Sequence, residues 1–169
     1  YDGKQYHGHR APGHVGDIFS SEEVIKRLPG DLAVGHNRYS TTGETAQRNI
    51  QPLFAEFESG GFALAHNGNL TNAQILHRDL VKRGCLFQST TDTEVIIHLI
   101  AISDQGSVVD RLIDTLTRVV GAYSLVAMTH DKMIGVRDPM GVRPLVLGSL
   151  DGAHVLASES CALDIIGAD

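Results

Sequence analysis

The 169 residues, 42% of them hydrophobic and 20% charged, are enough for one globular domain with a real core. A formal net charge of −6 argues against nonspecific binding to nucleic acid or to an anionic membrane. The two cysteines, Cys85 and Cys161, form no C-x-x-C pair, which speaks against a disulfide framework or a zinc site and makes a reducing, cytoplasmic setting the expectation. No apolar run approaches the roughly 20 residues of a membrane span, and no signal peptide opens the chain. Tyr1-Asp2-Gly3-Lys4 lacks an initiator Met and reads like the middle of a hairpin, so an internal fragment is expected.

In chain order, residues 5–10 have the pattern of a strand. Ser20-Ser21-Glu22-Glu23 resembles a capping box that opens a short helix to Leu28, stopped by Pro29-Gly30. Residues 31–37 read as a buried strand, and residues 38–52 as a long polar loop of the kind often used as a lid. Residues 53–58 and 62–66 flank Ser59-Gly60-Gly61, a hairpin signal. Residues 71–83 are amphipathic, with Ile75, Leu76 and Leu80 on one side and Gly84 as a stop. Residues 92–103 and 107–120 predict two more helices, the second carrying Val109, Leu112, Ile113, Leu116 and Val120 at helical spacing. Short apolar strands over 122–129, 133–137, 145–148 and 154–157 suggest a meander, followed by a helical turn over 160–166. Strands first, helices in the middle and a closing meander imply an α+β fold of antiparallel sheets faced by helices.

The chemistry concentrates around Ala65-His66-Asn67-Gly68-Asn69-Leu70. An Asn amide beside a Gly backbone N–H is a compact oxyanion hole, since the missing Cβ lets the N–H approach closely. Asn-Gly is also the strongest hairpin-turn signal. Here a second Asn and a helix follow, which fits a strand–loop–helix junction better. Arg38, at the end of an apolar strand, offers a fork that matches a carboxylate, or else a surface ion pair. Thr41 lies in the same loop and has a hydroxyl for the same carboxylate; Tyr39 is placed to pack or to cover a ligand. Asp92 precedes a helix, where it serves as an N-cap, as a partner for an α-ammonium, or as both. His7 and His9 share a strand face near His14, but no acid or Cys completes a metal set. His66 and His36 read as structural, and both cysteines as buried structural residues. No G-x-S-x-G, P-loop or G-x-G-x-x-G is present.

With these residues in hand, the chain resembles the glutaminase domain of class II glutamine amidotransferases, a branch of the N-terminal nucleophile hydrolases. Three stretches carry the resemblance: Gly35-His36-Asn37-Arg38-Tyr39-Ser40-Thr41, Ala65-His66-Asn67-Gly68-Asn69-Leu70 and Thr91-Asp92-Thr93-Glu94. Two later ones favour the branch whose acceptor is phosphoribosyl pyrophosphate: residues 137–145, Arg137-Asp138-Pro139-Met140-Gly141-Val142-Arg143-Pro144-Leu145, and residues 157–164. The resemblance spans essentially the whole chain. It implies a four-layer αββα sandwich, incomplete at its N-terminus. It implies that Arg38 binds the glutamine α-carboxylate with Thr41 assisting, that Asp92 binds the α-ammonium, and that Asn67 and Gly68 form the oxyanion hole. Residues 38–49 would be a lid. Glutamine would be hydrolysed, and its ammonia passed to phosphoribosyl pyrophosphate to form 5-phosphoribosylamine in purine synthesis.

The family nucleophile, a Cys at the mature N-terminus whose own α-amino group acts as base, does not appear in this sequence, nor does a phosphoribosyltransferase domain. Residues 1–169 therefore read as a partial amidotransferase domain that does not turn over glutamine by itself. No cofactor or metal is expected in this segment; magnesium, with an iron–sulfur cluster as a further option, belongs to the remainder of the parent, which is expected to be a homo-oligomer binding no nucleic acid and no membrane. The alternatives are a domain without a nucleophile that binds glutamine or regulates a partner, and a class II amidotransferase with another acceptor, such as a hexosamine-phosphate synthase or an asparagine synthetase.

Overall fold

The computed structural model describes residues 1–38 and 47–169. Among these residues the chain forms two antiparallel sheets between two layers of helix. Strands β1 (Leu53–Phe57) and β2 (Gly60–Leu70) make the expected hairpin, with a register from Phe57↔Gly60 to Leu53↔Leu64. Strand β2 continues to Leu70, beyond the end of β1. It pairs along its other side with β3 (Gly121–Met128), which pairs with β4 (Met133–Arg137), giving the order β1-β2-β3-β4. Strands β5 (Val146–Leu150) and β6 (Ala153–Ala157) form a separate two-stranded sheet.

The alternation of side chains along the strands assigns the layers. Phe62, Leu64, Tyr123, Leu125 and Ala127 pack into one core with Val95, Ile96, Leu99 and Ile100 of α4 (Asp92–Ala101) and with Leu80 and Leu112. Leu80 lies on α3 (Ala73–Lys82) and Leu112 on α5 (Val108–Leu116), so these helices cover that face. On the opposite face, a Cβ at Gly135 of β4 would stand 3.0 Å from both δ-carbons of Leu156 in β6. The two sheets therefore lie face to face. A Cβ at Gly148 of β5 would stand 2.8 Å from Leu163, on α6 (Ser160–Ile166), and so α6 lies outside the second sheet. The order is α-β-β-α, the four-layer architecture that the resemblance implies.

Several local expectations hold with physical reasons. Gly84, at φ +90°, ends α3 in a Schellman motif: the Cys85 N–H bonds Leu80 O at 3.0 Å and the Gly84 N–H bonds Val81 O at 3.0 Å. Ser107 caps α5, its Oγ accepting from the Asp110 N–H at 3.1 Å. Ser107→Ala in the full-length protein is expected to cost about 1 kcal/mol, read as a lower urea midpoint at unchanged slope. An unchanged midpoint would show that the cap contributes nothing.

Other expectations need correction. Residues 5–10 form no strand; side chains rather than a ladder fix this segment, with Tyr6 Oη donating to Gly61 O at 2.8 Å and Arg10 to Pro52 O at 2.8 Å. Residues 31–37 alternate between exposed and half-buried but join no sheet among the described residues; the backbone bonds of this stretch go to Tyr1, whose carbonyl accepts from Asp31 N–H at 3.2 Å. The expected meander is split, because β4 and β5 lie in different sheets. The helix α2 (Glu22–Lys26) exists, but its N-cap Ser21 makes no side-chain cap bond, and a preceding helix α1 (Val15–Phe19) carried no clear periodic signal. Ile75, Ile113 and Val120, expected on buried faces, are exposed.

Candidate active site

A cleft of about 1210 Å³ opens where β2 runs past β1 and its edge loses a strand partner. Its described walls are the end of β2, the start of α4, the first turns of α3, residues 36–38, and Asn49 with Gln51. Tyr39 and Thr41 lie outside the described residues.

The uncovered edge of β2 is occupied by side chains instead of a strand. Gln51, buried, clamps the His66 backbone: its Oε1 accepts from His66 N–H at 2.7 Å and its Nε2 donates to His66 O at 3.3 Å. His36 Nε2 lies 3.2 Å from the same carbonyl. Burial pushes the His36 imidazole pKa down, against the pull of that carbonyl. Two pairs further along, the Leu70 N–H donates to Asp92 Oδ2 at 2.9 Å. Alternate residues of a strand present their N–H groups to the same edge. Gly68 falls between His66 and Leu70, so its N–H faces the cleft that Gly68 lines.

Gly68 sits inside a strand, paired with Tyr123, not in the loop that its Asn-Gly context suggests. Its φ is +145°, and a Cβ there would stand 2.1 Å from Ala122 O, so only glycine fits against β3. Asn67 pairs with Ser124 and shares the face turned toward the second sheet. Its Oδ1 accepts from the Arg143 guanidinium. Its Nδ2 has no partner among the described residues, and Asn67 lines the cleft. Asn67 and Gly68 are thus adjacent donors at one wall of the cavity.

Asp92 is the first residue of α4, with Thr91 as the N-cap, so the N-cap reading of Asp92 itself is corrected. Its Oδ2 takes the Leu70 N–H, and its Oδ1 lies 3.4 Å from Nδ1 of the buried His66. Burial pushes the Asp92 carboxyl up, but the bond and charge of His66 and the backbone N–H groups outweigh it, and the net pKa lies below the ordinary carboxylate value. The carboxylate is about one-fifth exposed and lines the cleft. Arg38 is exposed at the cleft rim, its Nη1 donating to Asn49 O at 3.4 Å. Asn49 in turn clips to Thr90, donating through Nδ2 at 2.9 Å and accepting from the Thr90 N–H at 3.0 Å. The structure therefore brings Arg38, Asn67, Gly68 and Asp92 to one cleft, with cationic, neutral-donor and anionic groups as a free amino acid amide requires.

Supporting residues were not singled out in the sequence. Gln51 and Asn49 lay in a polar stretch without periodicity. Glu94, inside a quoted motif, holds the loop before α4 by accepting from the Gln88 N–H at 2.8 Å, the Ser89 N–H at 2.7 Å and Ser89 Oγ at 2.7 Å. Asp138 and Arg143 were quoted only as marks of one branch. Neither cysteine lines the cleft: Cys85 follows α3, and Cys161 is exposed on α6, which corrects its expected burial. His7 pairs with Asp2 at 2.8 Å, and His9 packs edge-on against Phe19. Among the described residues no group of three or more His, Cys, Asp or Glu is placed to hold a metal ion.

Residues 36–164 match the glutamine amidotransferase domain family. The chain is 54% identical over 168 residues to an amidophosphoribosyltransferase of Rhizobium etli, covering 99% of this chain and 34% of that protein. It is 48% identical over 157 residues to the chloroplastic amidophosphoribosyltransferase 2 of Arabidopsis thaliana, covering 92% of this chain and 28% of that protein. A solved structure described as the allosteric regulatory enzyme of purine biosynthesis superposes with a TM-score of 0.93 at 40% identity, covering 99% of this chain and 36% of that one. The chain thus spans about a third of the length of the curated relatives it matches. Fold, cleft and similarity agree, and the chain belongs to the glutamine amidotransferase domain family, with the α+β fold of the N-terminal nucleophile hydrolases.

Proposed function

We propose that this chain is the glutamine-binding and oxyanion-stabilising part of an amidophosphoribosyltransferase. The observation that carries this reading is the meeting, in one cleft, of the adjacent Asn67 and Gly68, each with a donor, and the ionised Asp92. Glutamine is held by its two charged ends, the carboxylate at Arg38 and the ammonium at Asp92. In this reading Thr41 assists Arg38 at the carboxylate and Tyr39 covers the bound ligand. A cysteine thiolate then attacks the side-chain amide carbon, forming a C–S bond and placing negative charge on the oxygen. Asn67 and Gly68 donate to that oxygen. The C–N bond breaks as the nitrogen takes the proton that the cysteine's own α-amino group had removed from the thiol and leaves as ammonia, and water cleaves the thioester to give glutamate and the free thiol.

The nucleophile this reading requires is the cysteine that the resemblance places at the mature N-terminus, upstream of Tyr1; residues 1–169 alone are not expected to turn over. The ammonia displaces pyrophosphate from phosphoribosyl pyrophosphate, giving phosphoribosylamine, at a site in the part of the parent beyond Asp169. Magnesium, and an iron–sulfur cluster if the parent has one, belong to that part. A homo-oligomeric, cytoplasmic protein without nucleic-acid or membrane partners fits the acidic charge and the free cysteines. No helix among the described residues is long and apolar enough to cross a membrane.

The test is a steady-state assay of the full-length native protein whose N-terminus has been sequenced. It is expected to release glutamate from glutamine and, with phosphoribosyl pyrophosphate present, one pyrophosphate per ammonia used. Glutamine binding without turnover would sink the hydrolase reading. Turnover with a different acceptor would remove only the phosphoribosyl assignment.

A further inference from the structure

An Asn side chain is nearly symmetric in shape, and its terminal torsion has a broad, roughly two-fold preference. The two orientations are chemically opposite. One presents an N–H₂ donor to the cleft and the other a carbonyl oxygen that would repel a developing oxyanion. Something must choose between them if Asn67 is to act as a donor. In this fold the choice falls to Arg143. A guanidinium has five N–H donors and no acceptor, so it can pair only with Oδ1. The Arg143 Nη2–Asn67 Oδ1 bond therefore leaves Nδ2 as the end available to the cleft.

The chain goes to some length to bring Arg143 there. Asn67, Ser124 and Arg137 form one cross-strand row on the face turned to the second sheet, and the segment linking β4 to β5 crosses that face. The segment is organised by Asp138, which is 3% exposed. Its Oδ1 accepts from the Arg143 N–H at 3.0 Å and the Tyr123 N–H at 3.2 Å, and its Oδ2 from the Val142 N–H at 3.0 Å. Its own N–H donates to Tyr123 O at 2.9 Å, which anchors the turn on the strand residue opposite Gly68. The Arg143 N–H, before the other backbone donors, holds the Asp138 carboxyl below its ordinary pKa against the push of burial. Arg143 itself is partly buried, and its Nε is enclosed without a partner among the described residues. An arginine desolvated to that degree, with Nη2 committed to one amide oxygen, is a placed group and not a surface charge.

We propose that Arg143 is a positioning residue for glutamine hydrolysis, fixing the Asn67 amide so that Nδ2, and not Oδ1, meets the oxyanion. The inference rests on reading Asn67 as an oxyanion donor. Arg143 acts only through Asn67, so its loss should appear in the transition state and not in glutamine binding.

The experiment uses the full-length enzyme and the variants Arg143→Met, which keeps the apolar stem and drops the donors, Arg143→Lys, Asn67→Ala, and Arg143→Met with Asn67→Ala together. R143M is expected to lower the glutaminase kcat by about 10- to 100-fold with KM within about 3-fold, part of the 10²–10³ that a lost oxyanion donor costs. R143K should regain part of the rate. In the Asn67→Ala background, R143M should cost less than about 3-fold more, because the group it positions is gone. Losses that multiply in the double variant, or an R143M enzyme as fast as wild type while Asn67→Ala is slow, would overturn the proposal. If R143M does not fold, R143K, whose ammonium lacks the fixed guanidinium fork, carries the same cycle at smaller amplitude. A neutron crystal structure of the variant, which tells amide nitrogen from oxygen, reads the same point without activity. An Asn67 amide that turns or splits between two orientations supports the inference, and one whose Nδ2 alone still faces the cleft refutes it. An inactive wild-type enzyme would sink the proposed function, and the crystal structure would still decide the role of Arg143.

Discussion

Replacing Asn67 by Asp in the full-length protein is expected to lower kcat for glutamine hydrolysis by about 10²–10³-fold while KM stays within about 3-fold. The substitution is nearly isosteric. Its carboxylate still accepts from Arg143, and the pair becomes a charge-assisted one, so the β2–β3 region should stay folded. What changes is the atom that faces the cleft: an N–H₂ donor becomes a negatively charged oxygen. Glutamine, whose amide oxygen is neutral in the ground state, loses little affinity. The tetrahedral intermediate, which carries the charge, loses one of its two donors and meets a like charge. A loss confined to KM, or a kcat within about tenfold of wild type, would remove Asn67 from the oxyanion hole.

The second large effect is expected at Asp92. Asp92→Asn should lower kcat/KM for glutamine on the order of 10²-fold, mainly through KM, the lower end of the cost of removing one partner from a desolvated charge pair because this carboxylate is partly exposed. The fold should persist, since an Asn oxygen can still accept the Leu70 N–H. The pH dependence has a definite sign. The folded carboxyl lies below its ordinary value, so both its charge and the stability it contributes are present above the unfolded-chain pKa and are lost only as pH falls through the lower folded pKa. Glutamine KM should therefore stay flat on acidification from neutrality to about pH 4, the ordinary Asp value, as far as this group controls it. A KM that already climbs between about pH 6 and 5 would mean that a group other than Asp92 holds the ammonium.

Both effects trace to residues visible in the chain before any coordinates. Arg38, Asn67, Gly68 and Asp92 were legible because their chemistry is carried by residue type and by short local context. The hairpin, the helices α3 to α5 and the antiparallel class were legible because apolar spacing at 3.6 or 2.0 residues is a local property. The sequence suggests a glycine at 68 so that its N–H can approach a substrate oxygen in a loop; the structure puts Gly68 inside a strand. A close approach does require glycine, but it is that of the β3 backbone, where a Cβ would stand 2.1 Å from Ala122 O, and that contact exists only once β2 and β3 pair.

What only the tertiary structure decided is everything that depends on long separations. Residues 31–37 have strand periodicity, but a pattern cannot say whether a ladder partner stands alongside, and among the described residues no sheet takes them. The four closing strands look alike in sequence, yet two join β2 and two form a second sheet, because pairing is set by which faces must be buried and not by order along the chain. Gln51, Asn49 and Glu94 are unremarkable polar residues until the free edge of β2 and the start of α4 give each a backbone group to satisfy. Arg143 stands 76 residues from the amide it orients. The sequence by itself determined the fold class and the polar and charged residues that line the cleft, because hydrophobic periodicity and side-chain chemistry are local. The orientation of those groups was left to the tertiary structure, because a hydrogen bond is chosen by whichever partner the folded chain brings within 3 Å.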